Sequence, residues 1–133
     1  PDYATGPFGV EAEPWMCIVS MADFERLRGL VDYPLLQLTL DVGHVYCLGE
    51  VPIADYVKRW SDRIVNVHIE DMQAGKHEHL MFGEGEMRFP PILEAFRNEG
   101  YQGGLHVELS RHSHMATEAI RQAFDFLAPL MTS

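Results

Sequence analysis

Four β-strand/α-helix units in a parallel α/β arrangement, half of a (β/α)8 TIM barrel, are what this 133-residue sequence predicts. Three observations lead there. Strand-like and helix-like apolar patterns alternate along the chain. Each predicted strand finishes on a side chain able to ligate a metal: Glu11, Asp41, His68 and Glu108. These ends are separated by 30, 27 and 40 residues, against about 31 per unit when a barrel of about 250 residues is divided over eight.

Residues 1–7 read as an irregular lead-in, and Phe8-Gly9-Val10-Glu11 as the end of a strand, with Pro14 stopping regular structure. Ser20 is a good N-cap for a helix over 21–31, whose apolar face would carry Phe24, Leu27, Leu30 and Val31. Pro34 closes that region, and LLQLTLD (35–41) is the strongest strand signal. Pro52 opens a second helix over 52–62, with Ile53, Tyr56, Val57 and Trp60 at helical spacing. IVNVHIE (64–70) is the next strand, followed by a long loop over 71–88. Pro90 and Pro91 start a third helix with Ile92, Leu93 and Phe96 inward and Gly100 as its stop. LHVEL (105–109) is the last strand, and a helix over 115–129 carries Ile120, Phe124 and Leu127 as its stripe.

Side chains two apart on a strand share a face. Thr39 therefore points with Asp41, Asn66 with His68, and His106 with Glu108. The alternate positions Leu38, Leu40, Val65, Val67, Leu105 and Val107 are apolar and are expected to face the helices. One face is thus helix-packed and the other polar, which suits a barrel interior better than a sheet buried on both sides. His106 is expected inside the barrel as a hydrogen-bonded core group.

Composition narrows the function. Hydrophobic content of 47% and charged content of 23% are ordinary for a globular domain. No apolar run reaches the ~20 residues of a membrane helix, so no membrane partner is expected. Cys17 and Cys47 have no framework spacing, which points to a reducing, cytoplasmic compartment. A formal charge of −10 argues against nucleic acid as a partner. It is also what unfilled ligand carboxylates would contribute.

The density of such groups is greatest between His68 and Glu84, where three histidines and four acids fall within seventeen residues. A fold alone does not call for this, because each buried polar group needs a partner or costs roughly 1–3 kcal/mol. A shared cation satisfies many of them at once. Glu11, Asp41, His68 and Glu108 would converge at the C-terminal end of the sheet, where barrel enzymes place their sites. Their oxygen-rich set suits Mn²⁺, Mg²⁺, Co²⁺ or Zn²⁺. His44 sits at the top of its strand, and His77 and His79 could join it as a second metal site or contact substrate. Arg111 could clamp a phosphate bidentately or pair with a nearby acid, while His112 and His114 would stand behind the site.

Asp41-Val-Gly-His44, Val67-His68-Ile-Glu-Asp71, Gly83-Glu-Gly85 and Val107-Glu108 together resemble the xylose isomerase-like barrels. The similarity is to the sugar phosphate isomerase/epimerase branch and, more distantly, to endonuclease IV-type nucleases. It runs from about Glu11 to the C-terminus, matching the C-terminal half of the barrel. The resemblance implies Glu11, Asp41, His68 and Glu108 as metal ligands, with Glu11 and Glu108 also acting as acid and base. The implied reaction is isomerisation or epimerisation of a sugar or sugar phosphate through a metal-stabilised enediolate. Endonuclease IV-like members carry further ligands at His44, His77 and His79, with an aspartate more usual where His77 stands. That leaves an alternative, a multi-metal phosphodiesterase, beside a third reading as a non-catalytic half-barrel subunit. Because the chain opens on Pro1 and supplies four units, it is expected to self-associate or to lack an N-terminal half.

Overall fold

The structure, a computed structural model, describes residues 20–31 and 33–131. The predicted strand at Phe8–Glu11, and Glu11 with it, lies outside the described residues. Helix α1 (Met21–Leu30) begins as the Ser20 cap predicts, the Ser20 hydroxyl accepting from the Asp23 amide at 3.1 Å. Its anchoring is confined to Met21 and Phe24; Leu30 and Val31, expected inward, are exposed because the last turn runs past the core.

The 35–41 strand is shorter than its apolar run suggests. A turn after Pro34, with the Leu36 amide on Tyr33 O, consumes its first residues, and pairing starts only where Leu38 N meets Arg63 O. Strand β1 (Leu38–Asp41) lies parallel to β2 (Ile64–Ile69), and β2 to β3 (Leu105–Val107), giving the order β1-β2-β3. Asp41 stands opposite His68, and His68 opposite His106. Between β1 and β2 the chain forms two helices, α2 (Val42–Cys47), which the sequence reading did not anticipate, and α3 (Ile53–Arg59).

Four plain parallel βα units is therefore too simple a description. Among the described residues the parallel sheet has three strands, and the expected 71–88 loop contains an antiparallel hairpin, β4 (Asp71–Gln73) with β5 (Lys76–Leu80). The result is a partial α/β barrel. Helix α4 (Phe89–Asn98) follows the prediction closely: Ile92, Leu93 and Phe96 are buried.

The core lies between the sheet and α3, α4 and α5 (Ala116–Met131), with Leu40, Val57, Val67, Ile69, Met72 and Phe89 almost fully enclosed. Val65 and Val107, expected under helices, are exposed. Helix α5 is turned relative to its predicted stripe, packing Ala119, Ala123 and Leu127 inward while Ile120 and Phe124 stay 70% and 68% exposed. Two alanines one turn apart let the helix approach closely, which puts the larger side chains one step around it. Val107, Ile120 and Phe124 then line an apolar groove of about 500 Å³ between β3 and α5. His106, expected as a core group, is exposed, because no opposite wall covers the polar face of the sheet among the described residues.

Candidate metal centre

Parallel register does the first part of the assembly. Asp41 ends β1, His68 lies one strand over in β2, and Glu108 follows β3, tied down by its amide on Ile69 O at 3.2 Å. His68 Nδ1 sits 2.7 Å from Glu108 Oε2 and 3.9 Å from Asp41 Oδ2. One ligand atom from each of the three residues falls within 4.8 Å of the others. The strand-end alternation thus places three of the four predicted ligands at one point.

Asp41 has a second task. Its Oδ1 accepts the His44 amide at 2.9 Å, capping α2 and turning His44 back over the strand end, where His44 Nδ1 lies 3.5 Å from Asp41 Oδ2. The hairpin supplies the rest. His77 and His79 are two apart on β5 and share a face, and His77 Nε2 lies 2.7 Å from His44 Nε2. The three rings have centroid separations of 4.5, 5.3 and 4.9 Å, and their ligand atoms fall within 4.8 Å of one another. Burial holds His44 below the usual imidazole range, Asp41 opposes that, and His77 and His79 add to it. A ring kept neutral is a ring able to ligate.

Glu70 is the member of the site to which the sequence reading gave no role. It follows β2 two residues after His68, so the same alternation that singled out His68 could have found it. Its side chain is wholly buried, and with Asp41 and His44 it forms a third set of ligand atoms within 4.8 Å. Burial pushes its carboxyl up to about 8. Glu70 in turn raises His79 against the effect of burial. At 3.6 Å, Glu70 Oε1 and His79 Nδ1 are within ion-pair range but short of a full hydrogen bond.

Other residues of the dense segment go elsewhere. Asp71, buried, accepts four backbone amides: Met72 and Met87 on Oδ1, Gly83 and Gly85 on Oδ2. It is the clamp of the Gly83-Glu84-Gly85 turn, and a Cβ on Gly85 would fall on its carboxylate. Glu84 Oε2 accepts the Met81 amide. Arg111 pairs with Glu78 at 3.2 Å, joining the hairpin to the segment after β3, the second of the two roles the sequence allowed it. His112 Nδ1 is buried without a hydrogen-bond partner among the described residues.

The donors fit a divalent cation. Carboxylate oxygens and imidazole nitrogens converge in sets of three, and Glu70 Oε1, Glu70 Oε2 and His79 Nδ1 are buried without hydrogen-bond partners. Such atoms are what a cation, or a ligand ring fixed toward one, would satisfy.

A sequence model of the family described as "Xylose isomerase-like TIM barrel" matches residues 6–130. The chain is similar to an inosose dehydratase of Lacticaseibacillus casei, 32% identical over 108 residues that cover 68% of this chain and 36% of that protein. It is 27% identical to an inosose dehydratase of Clostridium botulinum over 111 residues, 71% of this chain and 37% of that protein. A solved xylose isomerase domain protein from Alicyclobacillus acidocaldarius has a TM-score of 0.77 at 22% identity, covering 96% of this chain and 48% of that one. That likeness bears on the fold. The chain spans little more than a third of the length of the curated relatives it matches.

Proposed function

This chain belongs to the xylose isomerase-like TIM-barrel family, and from that premise we propose that it carries a divalent-metal site for isomerising or epimerising a small sugar or sugar phosphate. The observation that carries the proposal is the convergence of Asp41, His68 and Glu108 at adjacent strand ends. Those three residues, with Glu11, would hold the ion. A bound Mn²⁺, Mg²⁺, Co²⁺ or Zn²⁺ would polarise adjacent carbonyl and hydroxyl oxygens and so ease loss of the neighbouring C–H proton. Glu108 is suited to take that proton, since its side chain is 43% exposed and oriented by His68 at 2.7 Å. By the family resemblance Glu11 would return the proton; where it returns separates isomerisation from epimerisation. A substrate phosphate would have to draw Arg111 away from Glu78.

The names of the relatives support a close variant. Dehydration of a keto-polyol begins with the same proton removal and departs from isomerisation only when a hydroxyl leaves. One experiment covers both. With divalent metal in D₂O, a substrate from a panel of ketoses, inososes and their phosphates should gain deuterium beside its carbonyl. No exchange across the panel sinks the proposal, and product analysis separates isomer from dehydrated product.

The histidine cluster favours a second reading. His44, His77 and His79 would hold a second cation, as in a multi-metal phosphodiesterase, or contact substrate hydroxyls. Metal content of protein purified without chelator distinguishes these readings: one ion per chain fits the isomerase, two or more the phosphodiesterase. Because imidazole must be neutral to ligate, occupancy should fall as pH drops through about 6. Equal occupancy at about pH 8 and about pH 5 would count against histidine ligation.

No helix among the described residues is long and apolar enough to cross a membrane. Among the described residues the groove between β3 and α5 and the polar face of the sheet are uncovered, and further βα units would cover them. A second copy or a longer polypeptide would supply them. The isolated chain should therefore associate or bind a hydrophobic dye. A monodisperse 15.1 kDa species in light scattering, with no dye binding, would refute this.

A further inference from the structure

We propose that Glu70 is the positioning residue of the three-histidine cluster. Its buried carboxylate accepts the Nδ1–H of His79, which leaves Nε2 of that ring for a cation shared with His44 and His77. The inference rests on the reading that this cluster holds a second ion.

Two complementary groups face each other there. Neither oxygen of Glu70 has a hydrogen-bond partner among the described residues, and neither has His79 Nδ1; all three atoms are buried. The separation of 3.6 Å between Glu70 Oε1 and His79 Nδ1 closes to a charge-assisted bond of about 2.8 Å with a small side-chain movement. A carboxylate enclosed without a donor is costly, whereas one that accepts from an imidazole backed by a cation is stable.

The surroundings leave this carboxylate little choice of place. A Cβ on Gly43 would fall on Glu70 Oε1 and come within 2.9 Å of Met72 Cε. The glycine of Asp41-Val-Gly-His44 is thus the residue that makes room for Glu70 beneath α2. Asp41 and His44 each bring a ligand atom within 4.8 Å of the same carboxylate. With Nδ1 committed to Glu70, His79 can present only Nε2 to an ion, and a ring fixed in one tautomer ligates more tightly than one free to choose.

The test uses Zn²⁺ as the probe on the full chain, with competition titrations and ¹⁵N-edited spectra of the histidine rings. The parent should bind two ions and, when loaded, show a protected Nδ1–H on His79. Glu70→Leu should weaken one ion by about 10- to 100-fold and spare the other. Glu70→Gln keeps an acceptor oxygen, so it should lose less and retain the Nδ1–H signal. Equal affinities in Glu70→Leu and the parent would overturn the inference. So would Glu70→Gln losing the ion as completely as Glu70→Leu, which would make Glu70 a ligand itself. A parent that takes up a single ion would instead remove the second-ion reading, and the inference with it. If Glu70→Leu does not fold, loss of the Nδ1–H signal in loaded Glu70→Gln is the overturning result, and its retention the supporting one.

Discussion

Replacing Glu108 with Gln is expected to lower the proposed proton-transfer activity by about 10²- to 10⁴-fold, the range that a general base contributes. The loss should appear in kcat more than in substrate binding, because the amide keeps the shape and can still accept a hydrogen bond. Its fold should survive: Glu108 lies just past β3, is substantially exposed, and keeps its backbone amide on Ile69 O, while the Gln side chain still offers His68 an acceptor oxygen. Deuterium exchange beside the substrate carbonyl is the direct readout. Near-parental exchange in the variant would remove Glu108 as the base. His68→Ala should act mainly through lost metal and therefore recover in part at high metal concentration.

Replacing Asp71 with Ala should be strongly destabilising. The Asp71 carboxylate satisfies four amides from two sides of one turn, Met72 and Met87 on one oxygen, Gly83 and Gly85 on the other. A buried donor left without its acceptor costs about 1–3 kcal/mol, and bonds to a charged group are the stronger ones. Even with relaxation and water entry, a loss of at least about 3 kcal/mol is expected in chemical denaturation. The turn also anchors the C-terminal side of the hairpin that carries His77 and His79, so the proposed Zn²⁺ uptake at that cluster should weaken along with the fold. A destabilisation under about 1 kcal/mol would show that the turn holds without its clamp.

These two residues mark the division between what could be read and what could not. Glu108, Asp41 and His68 were legible because a strand has a period of two and parallel neighbours are in register. A polar residue closing each apolar alternation must emerge at the same end of the sheet, wherever the remaining packing goes. The start of α1 at Ser20 and the span of α4 between Pro90 and Gly100 were legible for a similar reason, since caps and breakers act within a few residues. Alternation sets Glu70 on the face of His68 and Asp71 on the other, but it names no partner for either acid. The tertiary structure gave Asp71 the amides of a turn twelve to sixteen residues away, and gave Glu70 a closed space beneath Gly43 beside His79. Arg111 was likewise open until the hairpin brought Glu78 to it, and the face of α5 until two alanines set how closely it packs. The sequence by itself determined which side chains stand at the strand ends, because backbone geometry is local and repeats. Only the tertiary structure decided which partner each buried carboxylate takes and which way a helix turns, because both depend on segments remote in the chain meeting in space.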